Sequence, residues 1–345
     1  MLEEERMKAV ILDDVKKFKT GEISEPTIDK SKVMINVTKT GICGSDIHYW
    51  VSGNPKNLVM GHEFCGTVVS PGDREDLKKG DRVTALPISP CGHCSACLSG
   101  NIQYCSKTWD EAIGLSLNNP GGLTSKINVR SDMVLKVPDN VSDEEIAMVE
   151  PTAVGLHAVH LANIKVGDKV LIIGGGIIGL VSAMFAKKEG ASYIAITETN
   201  DKRGNNAVKL GDVDEYFKAD NEVIKKLHSK SDGGFDVVIE CCGNSTAVST
   251  ALAAVKPGGR VILVGVALNP ITYPTVYQVI KELTVIGAIA YTKEEFITCI
   301  NLMKSKEINV LKFLSKVVTL DDVQASYEEL TSGSSETVKI LVEPK

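Results

Sequence analysis

The 345-residue chain has no stretch approaching the roughly 18 apolar residues that a membrane-spanning helix needs, so no helical membrane partner is expected. It has no surplus of positive charge. Lys and Arg number 38 against 44 Asp and Glu, a net charge of -6, which argues against a nucleic-acid partner bound by neutralising phosphates. No apolar signal core follows the acidic start Met1-Leu2-Glu3-Glu4-Glu5-Arg6. Those six residues read as a disordered extension ahead of a strand beginning near Met7, and a cytoplasmic protein is expected. Repeats and low-complexity tracts are missing as well.

What is present suits an ordinary globular protein: 43% hydrophobic and 24% charged residues. At roughly 100–200 residues per domain, the length predicts two domains, each large enough for a core that needs no staples. The nine cysteines are an odd number, and four crowd between Cys91 and Cys105. In a large cytosolic chain such crowding points to metal rather than to disulfides.

Residues 7–140 carry short β-type segments separated by Gly, Pro and Asp. Val33–Val37 and Gly66–Val69 read as strands, and Gly80-Asp81 reads as a turn feeding another. The texture changes near residue 150. Lys169–Ile173 is a continuous apolar run, Leu180–Ala186 suits a helix, and Tyr193–Thr197, Asp236–Glu240, Arg260–Val264 and Leu283–Ile286 continue the strand series. Strands alternating with helical stretches predict a doubly wound parallel sheet. A helical stretch near Lys293–Lys306 and an apolar strand at Val338–Val342 are expected to return to the first domain. The predicted boundaries are 1–153 for a β-rich domain with a lobe at about 90–106, 154–291 for the parallel-sheet domain, and 292–345 for the return.

Gly174-Gly175-Gly176-Ile177-Ile178-Gly179 is a G-x-G-x-x-G pattern set between an apolar strand and a helix. That context makes it a dinucleotide fingerprint: Gly174 for the tight turn, Gly176 for close approach to pyrophosphate, and Gly179 for helix–strand packing, with Ile178 between them. Glu198 ends the next strand about twenty residues on, where a carboxylate accepts from the adenosine ribose hydroxyls and repels a 2′-phosphate. NAD is therefore favoured over NADP. Arg203 leaves two alternatives, covering the adenine or tolerating a phosphate.

Cys91, Cys94, Cys97 and Cys105 offer four thiolates at a spacing that suits a closed, tetrahedral structural zinc site. The flanking residues lack the basic character of a nucleic-acid-binding ribbon. Cys43, His62, Glu63 and Glu150 are a scattered set of candidate soft and hard donors for a second, catalytic zinc, on which three protein ligands would leave one position open. Spacing alone leaves each with a plainer alternative: a buried thiol, a structural histidine, a solvated acid.

Gly41-Ile42-Cys43-Gly44-Ser45-Asp46-Ile47-His48, Gly61-His62-Glu63-Phe64-Cys65-Gly66, the cysteine lobe, Glu150-Pro151-Thr152-Ala153-Val154-Gly155 and the glycine fingerprint occur in that order. Together they resemble the zinc-containing medium-chain alcohol dehydrogenases, from Met7 to the end, and within them the polyol branch of sorbitol, 2,3-butanediol and threonine dehydrogenases. The resemblance implies a GroES-like catalytic domain joined to a Rossmann domain, with NAD and two zinc ions as cofactors. It implies a catalytic zinc on Cys43, His62 and Glu63, with Glu150 either ligating or holding a water on the zinc. It implies Ser45 and His48 as a proton relay, although Ser45 could contact a second substrate hydroxyl and His48 could serve packing or substrate contact. Val264 and Val266 would carry backbone groups that orient the nicotinamide. The expected partner is a small alcohol or ketone, and the expected assembly a homotetramer or homodimer.

The implied reaction is reversible NAD-linked oxidation of a secondary alcohol in a small polyol or vicinal diol. Alternatives are a threonine dehydrogenase, a sugar-phosphate or sugar-acid dehydrogenase, and a non-catalytic NAD-binding protein. The chain departs from sorbitol dehydrogenases near Ala290, where they carry an arginine. The segment Gly287–Phe296 is closer to the butanediol enzymes.

Overall fold

The structure, a computed structural model, describes residues 5–267 and 269–345. Residues 1–4 of the expected N-terminal extension lie outside them, and Arg6 already opens the first strand. The first part of the chain supplies strands β1 (Arg6–Asp14), β2 (Lys17–Ser24), β3 (Lys32–Gly41), β4 (Glu63–Ser70), β5 (Arg82–Ala85), β6 (Lys126–Arg130) and β7 (Val134–Lys136). The middle supplies β8 (Lys169–Ile173), β9 (Tyr193–Glu198), β10 (Glu215–Lys218), β11 (Phe235–Glu240), β12 (Val255–Leu263) and β13 (Thr284–Gly287). Two strands close the chain, β14 (Leu314–Thr319) and β15 (Lys339–Glu343).

These elements fall into two compact units. One comprises Met1–Glu150, Thr292–Thr331 and Lys339–Lys345; the other comprises Pro151–Tyr291 and Ser332–Val338. The short run Ser332–Val338, expected with the return segment, goes with the second unit.

In the first unit β1 and β2 form an antiparallel pair, and a larger sheet runs in the order β14-β15-β3-β4-β5-β7, with β6 also on β3. Strand β2 alternates between exposed and half-buried residues, whereas the centre of β1 is buried. This is the period-two pattern of a sheet with one wet face. Trp50 and Tyr327, from the helices Gly44–Ser52 and Val323–Thr331, pack with Leu12, Met60, Ile340 and Val342 in the core of this unit. The return segment therefore closes the core of the first unit.

In the second unit all six strands are parallel, in the order β10-β9-β8-β11-β12-β13. Strands β8, β9 and β11 are buried along nearly their whole length, which explains their unbroken apolar runs: helices cover both faces, so no position faces water. Strand β10 was not announced by any such run. It is a four-residue edge strand, Glu-Tyr-Phe-Lys, with only Phe217 buried. The chain reverses its direction of winding between β8 and β11, and the carboxyl ends of strands at such a switch point are where an open parallel sheet binds its ligand. No helix among the described residues is long and apolar enough to cross a membrane.

Candidate active site

Cys43 is the N-cap of the helix Gly44–Ser52, with extended backbone geometry. His62 and Glu63 lie at the start of β4. Gly61, just before them, has φ +104, and a Cβ there would come within 2.9 Å of the backbone nitrogens of Gly122 and Leu123. Only glycine makes this bend, and the bend turns His62 and Glu63 inward. The ligand atoms of Cys43, His62 and Glu63 all lie within 4.8 Å of one another, with His62 and Glu63 buried. The structure thus assembles three of the four donors predicted for the catalytic metal. Glu150 is not in this group. It is half-buried, the second residue of the helix Val149–Ala162, and does not come close enough to all three.

Asp46, a residue the sequence did not single out, is fully buried beside them. Its Oδ2 accepts from the Cys43 N–H at 3.2 Å, and its Oδ1 lies 3.3 Å from His62 Nδ1. Burial disfavours charge on His62, but the charges of Asp46 and Cys43 outweigh it and raise the imidazole's pKa well above its ordinary value. Ser45 donates its hydroxyl to Cys43 Sγ at 3.3 Å. His48 follows Ser45 by three residues on the same helix, which places both on one side of it, and both are half-buried.

A second overlooked residue is Lys339. Its ammonium is buried against the Glu63 carboxylate and donates to the Ile42 carbonyl at 2.9 Å. The signal was available: a lysine in the middle of the apolar run Val338–Val342. Tyr327 is the third. Burial, and then the charges of Asp46, Cys43 and Glu63, push its hydroxyl pKa far up, so it faces the group as a neutral wall.

The donor set fits zinc. One sulfur, one imidazole and one carboxylate match its borderline softness. Glu63 Oε1 is buried with no hydrogen-bond partner among the described residues, an arrangement costly to leave unanswered.

Cys91, Cys94, Cys97 and Cys105 likewise bring their sulfurs within 4.8 Å of one another. Cys94 caps the one-turn helix Ser95–Leu98. Backbone N–H groups point at the sulfurs: Gly92 to Cys97 at 3.3 Å, and Cys91 and Lys107 to Cys105 at 3.3 and 3.4 Å. Those two donors pull the Cys105 thiol down to about 6, a value that favours the thiolate a metal binds.

In the second unit β8 leads into Gly174 with φ +105, and Gly176 is the N-cap of the helix Ile177–Lys188. A Cβ on Gly179 would overlap the Gly174 carbonyl. These roles match those of the fingerprint. Ile178 is half-buried on the first turn of the helix. Glu198 ends β9, where its Oε2 accepts from the Gly175 N–H at 2.9 Å and its Oε1 from the Thr199 and Asn200 N–H groups at 2.7 and 2.9 Å. Arg203 reaches back from the helix Asp201–Lys209 and donates Nε and Nη2 to the two Glu198 oxygens, each at 2.9 Å. Burial would raise the Glu198 pKa, but Arg203 and the surrounding N–H groups bring it down to about 2. Val264 follows β12, its N–H bonded to the Glu240 carbonyl at 2.8 Å; Val266, two residues on, is exposed.

Fold and donor sets together define a zinc-binding dehydrogenase. The family model for the alcohol dehydrogenase GroES-like domain matches residues 29–139, and that for zinc-binding dehydrogenases matches 178–305. The chain is 32% identical to an L-idonate 5-dehydrogenase of Vitis vinifera, over 98% of this chain and 94% of that one. It is 32% identical to a sorbitol dehydrogenase of Bombyx mori, over 97% of each. The crystal structure of 2R,3R-butanediol dehydrogenase from Bacillus subtilis superposes with a TM-score of 0.85 at 30% identity, covering 98% of this chain and 100% of that one. The chain belongs to the zinc-containing medium-chain alcohol dehydrogenase family and is an oxidoreductase acting on alcohols with zinc and a nicotinamide dinucleotide as cofactors.

Proposed function

We propose that this enzyme oxidises a secondary alcohol of a small polyol or vicinal diol with NAD, reversibly. The observation that carries the reading is the buried Cys43–His62–Glu63 group, a three-donor set that leaves one position of a tetrahedral ion for the substrate oxygen. Zinc held there supplies a Lewis acid that makes the alcohol proton easier to remove. Asp46 orients His62, and Lys339 and Asp46 flank the donors on the protein side. Ser45, next to Cys43 Sγ, would accept the alcohol proton as it releases its own toward the nicotinamide ribose, and His48 on the same helix face would pass that proton to solvent. Glu150, outside the donor group, is assigned to the substrate side rather than to direct ligation.

The second unit binds the dinucleotide through the Gly174–Gly179 loop and the helix N-terminus behind it. Val264 and Val266 present backbone groups to the nicotinamide. Glu198 remains a carboxylate at any working pH and disfavours the 2′-phosphate of NADP, and its pairing with Arg203 supports NAD. The four-cysteine lobe holds the second, structural zinc. None of the nine cysteines is in a disulfide, in keeping with a reducing cytoplasm. A homodimer or homotetramer completes the reading, to be checked by light scattering.

The test follows reduced-nicotinamide absorbance with NAD or NADP against 2,3-butanediol, sorbitol, xylitol, L-idonate, threonine, a hexitol phosphate and ethanol, alongside zinc counting. We expect NAD-linked turnover of one or more diols or polyols with two zincs per chain. Turnover confined to threonine or to the phosphate would overturn the substrate class. Unchanged turnover in Cys43→Ser would overturn the site.

A further inference from the structure

Among the described residues Lys339 is the only lysine or arginine that is buried, and both it and its partner Glu63 are fully removed from solvent. An ammonium is placed there at a cost of several kcal/mol unless something buried answers it. Two groups do: the Glu63 carboxylate and the Ile42 carbonyl, the latter one residue before Cys43. The placement is built into the sheet. In strand register Gly41 lies opposite Glu63 on β4 and opposite Leu341 on β15, so Lys339 and Glu63 approach it from either side. A Cβ on Gly41 would collide with Glu63 Oε2 and come within 2.9 Å of Lys339 Cε. The missing side chain is the window through which the two meet.

Lys339 engages Oε2 of Glu63, while Oε1 stays buried and without a hydrogen-bond partner. The cation therefore does not compete for the oxygen left to face Cys43 and His62. The Glu63 and Asp46 carboxyl groups are both fully buried in one place, and Lys339 is the fixed cation set against the first of them.

We propose that Lys339 is a positioning residue: the resident counter-ion that keeps the donor group assembled whether or not a metal is held. The proposal rests on the reading of Cys43, His62 and Glu63 as the donors of a zinc. Without the lysine, the buried Glu63 carboxylate loses its fixed cation and an ion at the donor group has to stand in for it. Folding of the first unit then depends on zinc to a degree that the wild-type chain does not show.

The experiment measures thermal unfolding by far-UV circular dichroism for full-length wild type, Lys339→Gln and Lys339→Arg, each zinc-loaded and each stripped with a chelator. Stripping empties the cysteine lobe equally in all three, so the lobe cancels in the comparison. Stripping is expected to lower the Tm of K339Q by about 5 °C more than it lowers that of wild type, with K339R close to wild type. A Lys339 that is merely structural gives K339Q the same Tm loss in both states, and that result, or no loss in either, overturns the proposal. Gly41→Ala crowds the pair without touching a charge. It is expected to widen the same gap and serves if K339Q does not fold even with zinc; an unwidened gap there also overturns the proposal. Zinc counting on Cys43→Ser separates the two failures. One zinc fewer than wild type, with K339Q flat, removes this inference alone. An unchanged zinc count removes the donor reading beneath it.

Discussion

The four lobe cysteines come from one run, Cys91 to Cys105, and two of their sulfurs, those of Cys97 and Cys105, accept from N–H groups in or just past that run, those of Cys91, Gly92 and Lys107. Three of the four are half-buried, and Leu98 beside them is 77% exposed. The Cys43–His62–Glu63 group is built in the opposite way. Its donors come from a helix cap and a strand start nineteen to twenty positions apart in sequence. Its supports come from Asp46 and from the last strand of the chain, and buried Tyr327 faces it. A local loop of identical soft donors closes around an ion and needs little else. A buried group with one imidazole, one sulfur and one carboxylate needs the whole unit to fold first. With three donors, it is also the group that would leave a position for substrate on a zinc held there.

Exchanging the damage between the two groups breaks this comparison most directly. Cys43→Ser is expected to cut turnover by more than about a hundredfold and to remove one zinc, with the Tm of the loaded protein within a few degrees of wild type. Cys97→Ser is expected to do the reverse. It should lower Tm by about 5 °C or more while the folded fraction keeps kcat within about threefold of wild type, because a structural zinc contributes to folding rather than to the reaction. Equal losses of kcat in both variants would mean that the lobe is not a separate device.

A smaller effect is expected at Asp46. Its two oxygens divide between the helix start, through the Cys43 N–H, and His62. Asp46→Asn retains an acceptor for the helix but removes the charge facing the imidazole. Zinc affinity at the buried group should fall about ten- to a hundredfold, read by competition with a chromogenic chelator, while the lobe keeps its zinc. An unchanged affinity would show that His62 is held by packing alone.

The same contrast governs what could be read from the sequence. The lobe was legible because its spacing is the site. The fingerprint was legible because an unbroken apolar strand, three glycines and a helix adjoin it, and the buried faces of β8, β9 and β11 dictate that pattern. Cys43, His62 and Glu63 are each ambiguous on spacing alone, and it was the motif around each that joined them. Asp46 stayed hidden because an acid in a first helical turn reads as a helix-end charge, and it is one, besides its contact with His62. Lys339 stayed hidden because a strand of five residues tolerates one polar member; only the register of β15 on β3 shows which way it points. For Glu150 the motif implies either a ligand or a holder of a zinc-bound water, and its carboxylate is not among the three donors that lie within 4.8 Å of one another. Strand β10 escaped because an edge strand with one buried residue has no apolar run to betray it.

The comparison can be sharpened once more in the second unit, where a buried acid is answered by a fixed cation instead of an ion. Glu198 is 4% exposed, and its carboxyl is brought down to about 2 from an ordinary 4.5, against burial, by Arg203 and by the N–H groups of Asn200 and Gly175. Because the folded value lies below the ordinary one, the stabilisation it represents is fully present above about pH 4.5 and is lost as pH falls through about 2. No part of the range from about pH 5 to 9 titrates this group, so its contribution to NAD affinity should be flat there, as read by quenching of protein fluorescence. Glu198→Gln should weaken NAD about tenfold, by removing a charged acceptor, and should narrow the preference over NADP. Its acid unfolding should also lose less stability between about pH 4.5 and 2 than that of wild type. A wild-type NAD affinity that climbs or falls between pH 5 and 7, and is flattened by Glu198→Gln, would mean that Arg203 does not hold the carboxylate in solution. Glu198 would then resemble the Cys43 group, an acid waiting for its partner, rather than one already answered.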